Sequence, residues 1–328
     1  MRRDGEDRRP GRHSAQGKEE AAIKNYLGID IGGTNIRLGV VDGRGRVVTR
    51  YRMPTLKGQG RRKVISRLLD AIGAILHGSG YKVEAIGAGC PGPLDSRRGI
   101  VLSPPNLPDW RGVRLKEIVE KRFRIPVAVE NDANCAGLGE AIAGAGKLAG
   151  RRASSMVLLT LGTGIGSAIV LDGKLWTGKG GFAAELGHMS VDINGPKCGC
   201  GNRGCIELYA SATGVVRRMK KARKSRAAMT AEDVFLASAK GDKAARRVVD
   251  ETARYLGCAL ANIVNALDPE VIVLAGGMAK AGRGFMRKTE KIMRERALKE
   301  SSRGVRLVTA KLGEDAGLIG AAWRAKEL

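Results

Sequence analysis

Apolar positions from Asn25 to Ile31 run almost unbroken into Gly32-Gly33-Thr34, which predicts a buried strand ending in a tight turn. Ile36 to Val41 alternates and predicts the returning strand. Asp42-Gly43-Arg44-Gly45 predicts a second turn, and Val47 to Tyr51 a third strand. Val64, Ile65, Leu68, Leu69, Ile72 and Leu76 recur at helical spacing and predict a helix from Arg61 to His77. Ala85 to Gly89 predicts a strand stopped by Pro91-Gly92-Pro93. The order then repeats. Met156 to Leu161 predicts a strand, Gly162 to Gly166 a turn, Ser167 to Leu171 the returning strand, and Asp172-Gly173 another turn. Val248 to Leu267 predicts a long amphipathic helix ended by Asp268-Pro269, and Val271 to Leu274 a buried strand running into Gly276-Gly277. Two halves that each open with a glycine-turned hairpin predict a duplicated α/β unit with a central cleft.

Three readings of the glycine loops compete. Gly162-Thr163-Gly164-Ile165-Gly166 resembles a dinucleotide fingerprint, with Glu185 some twenty residues on. That fingerprint needs a helix after the loop to aim its N-terminus at the pyrophosphate, and here a strand follows. Gly173 to Lys179 matches the start of a Walker A loop, but position 180 is glycine, so the Mg²⁺-binding hydroxyl is missing. The third reading is a pair of phosphate-cradling turns, Asp30-Ile31-Gly32-Gly33-Thr34-Asn35 and Leu161-Gly162-Thr163-Gly164. Successive N–H groups at a glycine turn form an anion nest, although glycine turns also simply join hairpins. With Gly276 and Gly277 after a third strand, they fit the two phosphate clips and adenosine contact of an actin-like ATPase (ribonuclease H-like) core. Asp30, at the end of the first strand, is then a Mg²⁺ carboxylate or a turn-capping residue.

The chain has 328 residues, 43% hydrophobic and 28% charged, enough apolar material for a two-domain core. No apolar run reaches the ~18 residues a membrane span needs, and no secretory signal is visible, so a cytoplasmic protein is expected. Formal charge is +25. Residues 1–20 nearly cancel, with six Lys/Arg against five Asp/Glu, and residues 1–22 read as a disordered polar tail. Arg217 to Arg226 carries seven basic residues in ten and no acid. It reads as a solvated face and not a nucleic-acid site, since aromatics are only 4% of the chain and stacking partners are scarce.

Cys198, Cys200 and Cys205 lie within eight residues, and His188 stands ten residues before them. This C-x-C cluster beside a histidine is a closed Cys₃His set, which suits structural tetrahedral Zn²⁺ and leaves no position for catalysis. Cys90, Cys135 and Cys258 read as buried small apolar residues.

At this point the chain resembles the ROK family (repressor, ORF, kinase), and within it the glucokinase-like members. Glu185-Leu186-Gly187-His188 followed by Gly195-Pro196-Lys197-Cys198-Gly199-Cys200-Gly201-Asn202-Arg203-Gly204-Cys205-Ile206-Glu207 carries the resemblance most specifically. Glu130-Asn131-Asp132-Ala133-Asn134 resembles the family's catalytic motif, and Asn106-Leu107-Pro108-Asp109-Trp110 its sugar loop. Ala184 departs from the pattern, since relatives carry glycine there. It could tighten the sugar pocket.

The resemblance implies an ATP- and Mg²⁺-dependent hexose kinase, with glucose 6-phosphate as the expected product. N-acetylglucosamine, N-acetylmannosamine, fructose and allose are the alternative substrates, and a sugar-sensing regulator is the non-enzymatic alternative. Family repressors carry an N-terminal DNA-binding domain of several dozen residues, whereas the first phosphate motif here begins at Asp30. Asp132 is implied as the base, or else as a helix N-cap. Asn106, Asn131, Asp132, Glu185, His188 and Glu207 are implied to bind the sugar. Asp30, Gly32, Gly33, Thr34, Asn35, Gly162, Thr163, Gly164, Gly276 and Gly277 would hold the nucleotide. A small domain is expected over 23–134, completed by a helix over 315–328, and a large domain over 135–314. A homodimer or dimer of dimers is implied.

Overall fold

The computed structural model describes residues 23–104, 106–148 and 150–328. The tail expected over 1–22 lies outside them. The chain opens with β1 (Asn25–Ile31), β2 (Asn35–Asp42), β3 (Tyr51–Pro54), α1 (Arg61–Gly78) and β4 (Val83–Cys90). A small three-stranded sheet follows, built from β5 (Leu94–Asp95), β6 (Ile100–Val101) and β7 (Val113–Arg114). Next come α2 (Leu115–Phe123), β8 (Val127–Asn131), α3 (Asp132–Ala143) and the ribbon β9 (Lys147–Leu148) with β10 (Arg151–Arg152). The second half contains β11 (Ser155–Leu161), β12 (Ile165–Leu171), β13 (Lys174–Leu175), α4 (Glu207–Ala210), α5 (Ala212–Arg223), α6 (Ala231–Ala239) and α7 (Lys243–Leu267). It closes with β14 (Val271–Ala275), α8 (Arg283–Arg296), α9 (Lys299–Gly304), β15 (Arg306–Thr309) and α10 (Asp315–Lys326).

Two five-stranded sheets result, in the orders β3-β2-β1-β4-β8 and β13-β12-β11-β14-β15. Each has an antiparallel meander joined to two parallel strands, so the expected duplication is present strand for strand. α1 and α2 bury Val64, Leu68, Ile72, Leu115 and Val119 against one face of the first sheet. Helices α5 to α8 cover the corresponding face of the second.

The opposite faces meet through α10 and α3. Gly39, Gly28 and Gly87 stand in register across β2, β1 and β4. A Cβ on Gly28 would lie 2.1 Å from the Leu318 carbonyl oxygen, and one on Gly87 1.7 Å from that of Ala321. The row is a trough that admits the backbone of α10. On its far side α10 touches α3 just as closely, for a Cβ on Gly320 would fall 1.7 Å from the Cys135 oxygen. α3 in turn packs on the second sheet at Gly137 and Ala168. The order through the molecule is therefore first sheet, α10, α3, second sheet. At the far end of α3, the buried Glu140 carboxylate accepts the N–H groups of Ala145 (2.7 Å), Lys311 (3.0 Å) and Leu312 (2.8 Å). It joins the two chain segments that pass between the sheets.

Three local expectations need correction. The third strand starts at Tyr51, not Val47. Val48 and Thr49 both donate to the Val40 carbonyl, and the Thr49 hydroxyl accepts from Val40 N–H, so a side chain interrupts the ladder there. The long helix begins at Lys243 because Asp242 caps it, accepting from Ala245 N–H, five residues before the apolar stripe starts. Cys90 and Cys135 are buried, but Cys258 is only half-buried. Among the described residues no helix is long and apolar enough to cross a membrane.

Candidate active site

The first glycine turn is fixed from below. Thr55, fully buried, donates its hydroxyl to Gly32 O at 2.6 Å and its N–H to Thr34 O at 2.8 Å. Gly32 N–H closes the turn on Asn35 O. Asn106 lies against the turn, for a Cβ on Gly33 would sit 3.0 Å from that of Asn106. Asp30 pairs with Arg37, its direct cross-strand neighbour, at 3.0 Å. Burial pushes the Asp30 carboxyl above its ordinary value, with the guanidinium pulling the other way.

The start of α3 separates two jobs that the sequence left tangled. The N-cap is Asn131, whose Oδ1 accepts from Ala133 N–H (2.9 Å) and Asn134 N–H (3.1 Å), while its Nδ2 donates to Gly92 O. Asp132 is the first helical residue, with Oδ1 on the Ala133 N–H at 2.8 Å. Burial foremost, with the charges of Asp30 and Glu185, pushes its carboxyl up to about 6 against the hydrogen bond from Ala133. Glu130, immediately before, is buried and accepts from Asn131 N–H and Asn134 Nδ2, which holds the turn in place.

The second turn mirrors the first. Gly162 N–H bonds Gly164 O, and Gly162 O accepts from Ala212 at the start of α5. Glu207 reaches this turn from α4, accepting from Ile165 N–H at 2.9 Å. A Cβ on Gly166 would come 2.9 Å from that of Ala133, so the second hairpin abuts the residue after Asp132. Gly276, at φ +88°, backs onto Leu161 O, while Gly277 and Thr163 are exposed. Both turns, Asp30, Asp132, Glu185 and Glu207 thus converge from sequence positions up to 177 residues apart.

Glu185 is exposed, and the turn before it is strained. Ala184 stands at φ +68°, where an L side chain is disfavoured. Ser167 holds it there, donating to Ala184 O and accepting from Leu186 N–H at 3.0 Å. The Ala184 methyl packs in the core under the second sheet.

His188 Nδ1 lies 3.8 Å from Cys198 Sγ, Cys200 Sγ lies 3.7 Å from Cys205 Sγ, and all four ligand atoms fall within 4.8 Å of one another. Tetrahedral Zn–S bonds of ~2.3 Å give ligand separations of about this size, so the four groups fit a zinc ion as they stand. His188 presents Nδ1 to the set, leaving Nε2 for another partner. Tyr209 supports the loop by donating to Asp192 at 2.9 Å.

Arg218 corrects one expectation. It is not on a solvated face. Its guanidinium is largely buried, donating to Tyr209 O at the end of α4 (2.6 Å), to Val248 O and Glu251, and to Thr252. Arg217 donates to Leu208 O beside it. Two of the basic residues expected to be idle therefore cap the four-residue helix that begins with Glu207. Arg37, Ser167 and Arg218 were not singled out as site residues from the sequence. Arg37 was legible in principle, because a hairpin turning at Gly32-Gly33-Thr34 puts 30 opposite 37.

Residues 26–328 match the ROK family. The glucokinase of Halalkalibacterium halodurans is 38% identical over 92% of this chain and 95% of its own length. The ROK hexokinase of Thermus thermophilus superposes with a TM-score of 0.84 at 37% identity, covering 92% of this chain and 98% of the other. A ROK glucokinase from Streptomyces griseus, solved with glucose and AMPPNP, gives 0.75 at 34% identity over 93% and 100%. The xylose repressor of Caldicellulosiruptor bescii is 28% identical, and this chain spans 77% of it. The fold is the duplicated, actin-like α/β architecture expected from the glycine loops.

Proposed function

The chain belongs to the ROK family, and on that premise we propose that it transfers the γ-phosphoryl group of ATP to a hexose hydroxyl, with the C6 hydroxyl of glucose as acceptor. The observation that carries this reading is Asp132. It is a carboxylate enclosed between two glycine turns, relieved of capping duty by Asn131 and raised to about 6 by burial. A general base near neutrality is what a hydroxyl nucleophile needs.

Phosphoryl transfer depends mostly on positioning and charge neutralisation. Asp132 accepts the proton as the hydroxyl oxygen bonds to the γ-phosphorus and the bond to the bridging oxygen breaks, releasing ADP. The N–H groups of the turns at Gly32-Gly33-Thr34-Asn35 and Gly162-Thr163-Gly164 receive the phosphates, and Gly276 and Gly277 leave room for the adenosine. Bound Mg²⁺ supplies charge neutralisation on the phosphate oxygens. Asp30 would hold it, since one of its oxygens is free of Arg37 and a hard carboxylate suits that ion. Asn106, Asn131, Glu185, His188 and Glu207 orient the sugar hydroxyls. Zinc at His188, Cys198, Cys200 and Cys205 fixes the loop between Glu185 and Glu207. Residues 23–134 with 315–328 act as one lobe and 135–314 as the other, in a cytoplasmic enzyme that forms a homodimer or a dimer of dimers.

Identity favours the enzyme over the regulator: the chain is 38% identical to the H. halodurans glucokinase and 28% identical to the C. bescii xylose repressor. A coupled assay across glucose, fructose, allose and the N-acetylated hexosamines, with ATP, ADP and polyphosphate as donors, tests the reading. ATP with glucose should give the highest kcat/KM. No turnover with any pair, together with sugar-dependent DNA binding, would replace it with the regulator.

A further inference from the structure

Arg37 occupies an unusual place. It lies on β2, between two carboxylates from distant parts of the chain. Nη1 pairs with Asp30 at 3.0 Å and Nη2 with Glu314 at 2.6 Å. Nε is buried and has no partner among the described residues. The two acids differ in exposure, for the Asp30 side chain is 19% exposed and that of Glu314 63%. Glu314 also touches Arg52 at 3.6 Å. On the other side Asp30 is confined by α10, because a Cβ on Gly317 would come 3.1 Å from its Cγ.

We propose that Arg37 is a counter-ion that Asp30 exchanges for the divalent cation of the nucleotide, and that Glu314 retains the guanidinium during the exchange. The inference rests on the reading of Asp30 as the Mg²⁺ carboxylate. Without metal, a largely enclosed Asp30 needs a compensating charge, and Arg37 provides it. When a divalent cation takes Asp30, a guanidinium with no second partner would be left partly buried and unpaired. Arg37 has that second partner already in place. It therefore lowers metal affinity by competition, while Glu314 limits how far affinity falls. Asp30 is then never left without a counter-charge between turnovers.

The experiment measures AMPPNP binding to the zinc-loaded, glucose-saturated protein by titration calorimetry, with and without Mg²⁺. The ratio of the two Kd values reads the energetic coupling between metal and nucleotide and does not depend on turnover. Arg37→Gln should raise this ratio about three- to tenfold, as expected when one partly exposed ion pair no longer competes. Glu314→Gln should lower it severalfold, because metal binding then strands the guanidinium. Glu314 is exposed, so that variant reports even where Arg37→Gln folds poorly. Structural damage lowers metal coupling and does not raise it, so the opposite signs are diagnostic. An unchanged or lowered ratio in Arg37→Gln, or an unchanged or raised one in Glu314→Gln, overturns the exchange. Asp30→Asn separates the two readings. If it lowers the ratio tenfold or more while the other variants fail, the exchange is wrong and the Mg²⁺ role of Asp30 stands. If Asp30→Asn leaves the ratio unchanged, the Mg²⁺ role fails and the exchange fails with it.

Discussion

The Glu207 carboxylate accepts the backbone N–H of Ile165 at 2.9 Å, on the strand that leaves the second glycine turn. Gly164 has to be glycine for this contact, since a Cβ there would lie 2.4 Å from the same oxygen. Glu207 comes two residues after Cys205, so the position of the cysteine loop reaches the nucleotide turn through one side chain.

Metal removal should therefore disturb both substrates. The purified protein should hold about one zinc per chain, because its four ligands form one tetrahedral set. Cys205→Ser should lose the metal and weaken sugar and nucleotide binding together, by about tenfold each, the scale of losing an oriented hydrogen-bond set. Elemental analysis and two binding titrations check this, and full activity in zinc-free protein would refute it.

Asp132→Asn should lower kcat by ~10²–10⁴ while sugar affinity stays within a few-fold. Parent kcat should rise with pH through about 6, the value to which burial pushes Asp132, as the base ionises. The stability effect has the opposite sense. A carboxyl raised from 3.8 favours its protonated form in the folded state, so its contribution is complete below about 4 and is lost as pH rises through about 6. At pH 8 the asparagine variant should be the more stable by on the order of 2–3 kcal/mol. Urea denaturation at pH 5 and pH 8 measures the difference.

The basic stretch should divide sharply. Lys221→Ala with Arg223→Ala removes one exposed residue and one solvent-screened surface pair with Asp242, and should leave both the melting temperature and kcat nearly unchanged. Arg218→Ala strips the hydrogen bonds from Tyr209 O and Val248 O and leaves Glu251 without its partly buried partner. It should cost about 3 kcal/mol, at the low end for breaking a buried pair, and raise KM through Glu207. Thermal melts and steady-state kinetics distinguish the two.

Glu140→Ala should be among the most destabilising single changes, at about 3–5 kcal/mol, because Ala145, Lys311 and Leu312 each lose an acceptor in the interior. Glu140→Gln keeps one oxygen and should recover part of the loss. Chemical denaturation of both variants provides the check.

Ala184→Gly should raise stability by up to about 1 kcal/mol, since relief of the left-handed conformation outweighs the extra chain entropy of glycine. A melting temperature below the parent's would show that the buried methyl matters more than the strain.

The sheets were legible from the apolar runs, and the duplication from two glycine-turned hairpins, because buried strands and tight turns write themselves into local sequence. The zinc ligands were legible because all four lie within eighteen residues. Arg218 was misread for a physical reason. A run of seven cations reads as solvated unless the carbonyls it meets are known, and Tyr209 and Val248 belong to other helices. Asn131, read for the sugar, also caps α3 through its side chain, a job that suited its neighbour Asp132 equally well in sequence alone. The trough of Gly39, Gly28 and Gly87 was invisible because each glycine sits in an ordinary strand, and only strand register lines them up.

That trough also bears on how the protein is made. The face of β1, β2 and β4 that carries it is built from the first part of the chain, and the helix that fills it begins roughly 290 residues after Asn25. At about 5–20 residues per second, a ribosome takes on the order of 15–60 s to cover that distance. Through that interval the nascent N-terminal sheet carries an open groove walled by apolar strands, with no side chains of its own to fill it. Its completion waits for α10, while the second sheet can gather its strands and α5 to α8 from sequence nearer at hand. The sheet synthesised first is thus covered only when α10 is made, after the last strand of the second sheet, and chaperone dependence should be greatest while the groove stands open.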